Sequence, residues 1–129
     1  MSRQKLYFHI GYPKCGSTSL QAALAGADGI LYPRAGRHGD EHLSLPLHLR
    51  GMDHWTKNFV SESWVRKQHA TMLDEVGKAD LPVFISSERL CALSETQMDD
   101  LARMFPEFDI EIICLVRDRE KYLDSLWRH

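Results

Sequence analysis

The sequence predicts an α/β fold of three layers, α/β/α, with helices on both faces of a mainly parallel sheet. Three short apolar runs read as strands: Leu6 to Ile10, Val83 to Ile85 and Ile110 to Val116. Segments of helical periodicity separate them. Strands that alternate with helices imply a parallel sheet with right-handed crossovers. The 129 residues suit one domain over positions 1–129. A domain of that size buries roughly two thirds of the surface its unfolded chain exposes.

The first strand stops at Gly11 and Pro13. From Ser17 the pattern turns helical, with Leu20, Ala23 and Leu24 on one face and Gly26 as the end. Residues 27 to 58 hold Gly, Pro and the scattered rings of His38, His42, His48, His54 and Trp55. They read mostly as loop, with one short helix near Leu43 to Arg50. A long loop in a compact domain is usually functional or mobile. Ser61 or Ser63 offers an N-cap for a helix to about Val76. Ser94 opens another helix, and Gln97 completes a capping box. Its inner face is Met98, Leu101, Ala102 and Phe105, and Pro106 stops it. The run from Ile110 to Val116 is nearly all apolar, as in a strand covered on both faces, so Cys114 is expected to be a buried thiol. Asp118 caps a last helix, with Tyr122, Leu123, Leu126 and Trp127 as its apolar positions.

Composition excludes several classes. Hydrophobic residues are 43% and charged residues 26%, which does not suit a disordered chain. A net charge of -2 argues against a nucleic-acid partner but leaves room for a local anion site. Cys15, Cys91 and Cys114 form no CxxC pair, which fits a reducing compartment. The apolar stretch near the N-terminus is too short for a signal peptide, and no run reaches membrane-span length. A cytoplasmic protein without membrane contact is expected. The histidines are irregularly spaced and HExxH is absent, so no metal site is expected.

The chemistry is concentrated in Gly11-Tyr12-Pro13-Lys14-Cys15-Gly16-Ser17-Thr18-Ser19-Leu20, between a strand and a helix. That placement aims backbone N–H groups and the positive end of a helix dipole at one spot. Gly16 permits close approach of an anion, Ser17, Thr18 and Ser19 add hydroxyl donors, and Lys14 adds charge. The ligand described is a phosphate. The segment is not a Walker A loop, which needs Lys followed by Ser or Thr after its second glycine. Here Ser17 follows Gly16 and the lysine lies earlier in the loop.

The run Pro13-Lys14-x-Gly16-Ser17-Thr18-Ser19 resembles the 5′-phosphosulfate loop of the sulfotransferases that use 3′-phosphoadenosine 5′-phosphosulfate (PAPS). The likeness is to their bacterial branch, where the loop is often written PKTGTTSLQ. Cys15 replaces the usual Thr or Ser and removes one hydroxyl. A second segment agrees: Leu115-Val116-Arg117-Asp118 ends the third strand, and Ser125 follows about two helical turns after Asp118. Family members hold the donor's 3′-phosphate with such an Arg and Ser pair. A planar guanidinium beside a hydroxyl suits that dianion. The competing structural role for Arg117 is an ion pair with Asp118 or Glu120.

The resemblance implies a fold like that of the P-loop nucleotide hydrolases and transfer of a sulfuryl group to a hydroxyl or amine. It implies PAPS as donor substrate and no metal. Lys14, Cys15, Gly16, Ser17, Thr18, Ser19, Arg117 and Ser125 would bind the donor, with Lys14 also neutralising charge on the departing phosphate. Glu88, directly after the second strand, and His42, in the long loop, are the candidate general bases, with Glu41 beside His42 as a third. The partner would be a small-molecule or glycan acceptor, met by the loop from Arg34 to Asn58. Family members continue beyond the 3′-phosphate helix, so the chain is expected to be an N-terminal core lacking its C-terminal portion. A homodimer could cover the apolar surface this leaves. Two alternatives stay open. One is a non-catalytic module that holds adenosine bisphosphate; the other is an atypical P-loop nucleotide kinase, against which Arg117 and Ser125 speak.

Overall fold

A computed structural model describes residues 4–11, 17–54 and 56–115. In chain order the elements are β1 (Gln4–Gly11), α1 (Ser17–Ala25), β2 (Arg37–His38), β3 (Glu41–His42), α2 (Ser44–Arg50), α3 (Glu62–Gly77), β4 (Val83–Ser86), α4 (Glu95–Met104) and β5 (Phe108–Leu115). Short 3-10 turns occupy Thr56–Asn58 and Glu88–Ala92.

β1 is the middle strand, with β4 and β5 paired parallel on either side. Alternation along β1 assigns its two faces. Leu6 and Phe8 are fully buried, with Val83 and Ile85 beside them in register. They meet Leu45 of α2, Met72 and Val76 of α3, and Leu101 and Phe105 of α4 and its end. Burying each such side chain contributes about 1.5–3 kcal/mol. The other face carries Tyr7 stacked on Phe84, 4.6 Å between centroids, and His9 next to Ser86. α1 covers that face and delivers Gln21 to Ser86. Helices therefore flank both faces of a parallel sheet, the three-layer α/β/α arrangement.

The helix starts follow their side chains. Ser61 accepts a hydrogen bond from the Trp64 amide at the start of α3. Ser94 and Gln97 form both bonds of the capping box that opens α4.

The region read as loop is more structured than expected. Residues 37–42 form a two-residue hairpin, β2 against β3, turning through Gly39 at φ 65°. Glu75 of α3 accepts from the amides of Arg34 and Ala35, and Gln68 accepts from that of Gly36. Leu31 lies along the outer side of β4, bonded to Pro82 and Phe84. These contacts dock the segment on α3 and the sheet.

β5 departs from the expected double coverage. Ile112 is 46% exposed and Cys114 is also exposed, so the buried-thiol expectation fails. Among the described strands β5 is an edge, with a neighbour on one side only. Val116 and the helix expected from Asp118 lie outside the described residues.

Gly36 carries the tightest packing in the docked segment. Its φ is 81°, and a Cβ there would lie 2.3 Å from Ser44 Oγ and 2.8 Å from Met72 Cε. Left-handed strain and overpacking add, so Gly36→Ala should cost roughly 2–4 kcal/mol in urea unfolding. A loss below 1 kcal/mol, as an order-of-magnitude threshold, would mean this packing is slack.

Candidate functional site

In an open parallel sheet, ligands bind beyond the carboxyl ends of the strands. That edge here comprises Gly11, Ser86 and Leu115. β1 and β5 stay in register to their last pair, Gly11 opposite Leu115. α1 begins at Ser17, a few residues after β1 ends.

Beneath this edge is a buried polar cluster centred on Ser86. Ser86 is fully buried on β4. Its Oγ accepts from Gln21 Nε2 at 3.1 Å and lies 2.8 Å from His9 Nδ1. Its backbone N–H donates to His42 Nδ1 at 3.0 Å. His42 Nε2 in turn donates to the Pro33 carbonyl at 2.7 Å. A carbonyl only accepts, so His42 is the neutral tautomer with its proton on Nε2. Burial pushes its pKa down to about 4. Tyr32 packs edge-on against the His42 ring and donates to the Asp40 carbonyl. Burial raises its pKa to about 12. His9 is 1% exposed, with its pKa lowered by burial. Among the described residues its Nε2 has no hydrogen-bond partner.

Ser87 extends the cluster toward the surface. Its amide donates to the His9 carbonyl at 3.1 Å, and its hydroxyl donates to Glu41 Oε1 at 2.7 Å. Its Oγ also accepts from the Arg89 amide, capping the 3-10 turn that Glu88 opens.

Against this geometry the candidate residues divide. Lys14, Cys15, Gly16, Arg117 and Ser125 lie outside the described residues. Ser17, Thr18 and Ser19 are the first residues of α1, and Ser19 is exposed. Glu88 is half-buried, two residues after β4 ends, at the start of the 3-10 turn. Glu41 reaches the same strand end through Ser87. His42 is corrected: it is fully buried and both ring nitrogens are bonded, so it braces the loop and cannot take a proton from a substrate. The reading of the sequence missed His9, Gln21, Tyr32 and Ser86. The signal for His9 was present, a polar side chain in an apolar strand two residues before the glycine that ends it.

Among the described residues no group of three or more His, Cys, Asp or Glu is placed to hold a metal, and no helix is long and apolar enough to cross a membrane.

No protein-family model and no curated protein matches the chain. Solved structures do. A chain of the Pnkp1/Rnl/Hen1 complex matches with TM-score 0.58 and 16% identity, covering 96% of this chain and 39% of its own. A chain of the Pnkp1/Rnl/Hen1 RNA repair complex matches with TM-score 0.58 and 15% identity, covering 99% and 38%. At that identity the likeness shows the fold, and this chain spans under two fifths of those chains. It overturns the expectation of a partner set without nucleic acid, because chains of the same fold belong to an RNA repair complex. The net charge of -2 is a whole-chain sum and does not speak for a local basic surface.

The cluster predicts a pH dependence. His42 has a folded pKa below its unfolded value near 6.5, so its contribution is full above pH 6.5 and is lost as pH falls toward 4. The loss is on the order of 3 kcal/mol. His9 and His69, both lowered by burial, act in the same direction. Urea unfolding from pH 7 to 4 should show this decline, and His42→Gln should be less stable at pH 7 with a shallower slope. Equal slopes would show that His42 is not the titrating group.

Proposed function

We propose that this chain binds PAPS at the carboxyl edge of the sheet and transfers its sulfuryl group to a hydroxyl or amine. One observation supports this most. The Pro13-to-Ser19 run and Arg117 follow in sequence from β1 and β5, neighbouring strands paired in register to Gly11 and Leu115. Adjacent strands are about 4.8 Å apart, so two phosphate-binding segments would leave the sheet side by side. One donor carrying both a 5′-phosphosulfate and a 3′-phosphate could span them.

In the proposed reaction the acceptor's oxygen or nitrogen attacks sulfur in line. The bond from sulfur to the phosphate oxygen breaks, and 3′-phosphoadenosine 5′-phosphate departs. Lys14 and the helix start stabilise the charge that builds on the leaving phosphate. Glu88 or Glu41, both at the β4 end, takes the acceptor's proton. The buried cluster contributes rigidity, since Ser86 and His9 hold the ends of β4 and β1 together.

A second reading rests on the shared fold with chains from an RNA repair complex. There the same edge would hold nucleotide phosphates, and the partner would be RNA.

Calorimetric titration separates the two. The sulfotransferase reading expects 3′-phosphoadenosine 5′-phosphate to bind more tightly than ADP. Arg117→Ala should remove that preference, a loss of roughly 10- to 100-fold for the 3′-phosphorylated ligand alone. Equal affinity for both ligands, or equal weakening of both, contradicts the donor assignment.

A further inference from the structure

A cleft of about 500 Å³ lies between the β2–β3 hairpin and the start of α3. Arg37, His38, Lys57, Phe59, Ser61 and Trp64 line it. Arg37 touches the cluster around Ser86 through Tyr32 and the Pro33 carbonyl. We propose that this cleft is a binding site for a planar aromatic ring carrying an anionic group.

Arg37 and Lys57 both line this space, and among the described residues no carboxylate side chain lines it. Arg37 is pre-positioned. Its Nε donates to the Pro33 carbonyl at 2.6 Å, its Nη2 donates to the Tyr32 carbonyl at 2.7 Å, and the guanidinium lies 4.8 Å from the Tyr32 ring centroid. Those bonds use two of the five N–H donors that an arginine carries. The fork is therefore fixed in place with donor capacity remaining, so little side-chain entropy is lost when an anion arrives. Exposed Lys57 adds a mobile charge.

Aromatic rings also line the cleft. Phe59 is 38% exposed and its ring is tilted against His38, 5.1 Å between centroids. Trp64, half-buried, packs with Val60 on the apolar cluster of Leu43, Leu47 and Val65. Trp64 is thus held by the core while it lines the cleft. Flat rings beside a fixed guanidinium and a lysine suit a ligand that is itself flat and negative, because stacking and ion pairing are satisfied together. The volume falls within the range of small-molecule sites. A nucleotide has this chemistry, and so does an aryl carboxylate. The assignment uses no residue of the sheet edge and stands apart from the donor reading.

The test is titration of the whole chain with adenosine 5′-monophosphate and with 4-nitrobenzoate, with variants of the cleft locating where each binds. Adenosine and inorganic phosphate serve as ring-only and anion-only controls. At least one aromatic anion should bind saturably, and each control should bind roughly ten-fold more weakly or worse. Lys57→Glu and Phe59→Ala should each weaken the aromatic anion by roughly ten-fold or more. Thermal melts check that both variants remain folded, and Lys57 is exposed enough for its variant to be read alone. Preference for the monophosphate assigns the cleft to nucleotides; preference for 4-nitrobenzoate assigns it to other aryl anions. Absence of saturable binding by either, or binding that both variants leave unchanged, overturns the proposal.

Discussion

The hydrogen bond from the Ser86 amide to His42 Nδ1 is the constraint on which the rest of the site depends. It ties the last residue of β3 to the last residue of β4, both fully buried. A buried polar group without a partner costs about 1–3 kcal/mol, so each member of the cluster is held by the others. Only a neutral imidazole can accept from Ser86 and donate to Pro33 at once. The same residue collects Gln21 from α1 and His9 from β1 through its hydroxyl. α1, β1 and β3 therefore meet at one residue of β4.

This arrangement gives the carboxyl edge of the sheet its rigidity. Backbone that binds an anion through fixed N–H groups gains from not having to be ordered on binding. Ser87 carries the bracing outward to Glu41 and the turn that begins with Glu88. The hairpin beyond it holds Arg37 over Tyr32, on the other side of the same segment.

Local chemistry made much of the fold legible in advance. Ser61 and the Ser94–Gln97 pair cap helices because their side chains act within one turn. Leu6 and Phe8 alternate inward because a strand has period two. The losses share a different character. β2 and β3 are two residues each, too short for any periodic signal. Cys114 sits in an apolar run, yet its exposure depends on which strands lie beside β5. His42 looked like a base because sequence shows a residue's chemistry and not its neighbours. Both of its nitrogens are committed by residues 9 and 44 positions away. The cluster was invisible for the same reason, since Ser86 meets His9 across 77 positions.

Hydrogen exchange with and without 3′-phosphoadenosine 5′-phosphate tests the central claim most directly, because it locates binding as well as detecting it. Binding at the carboxyl edge should bring new protection at the end of β1, the first turn of α1 and the end of β4, with the outer turns of α3 and α4 unchanged. Protection confined to those outer turns, or none at saturating ligand, would contradict it.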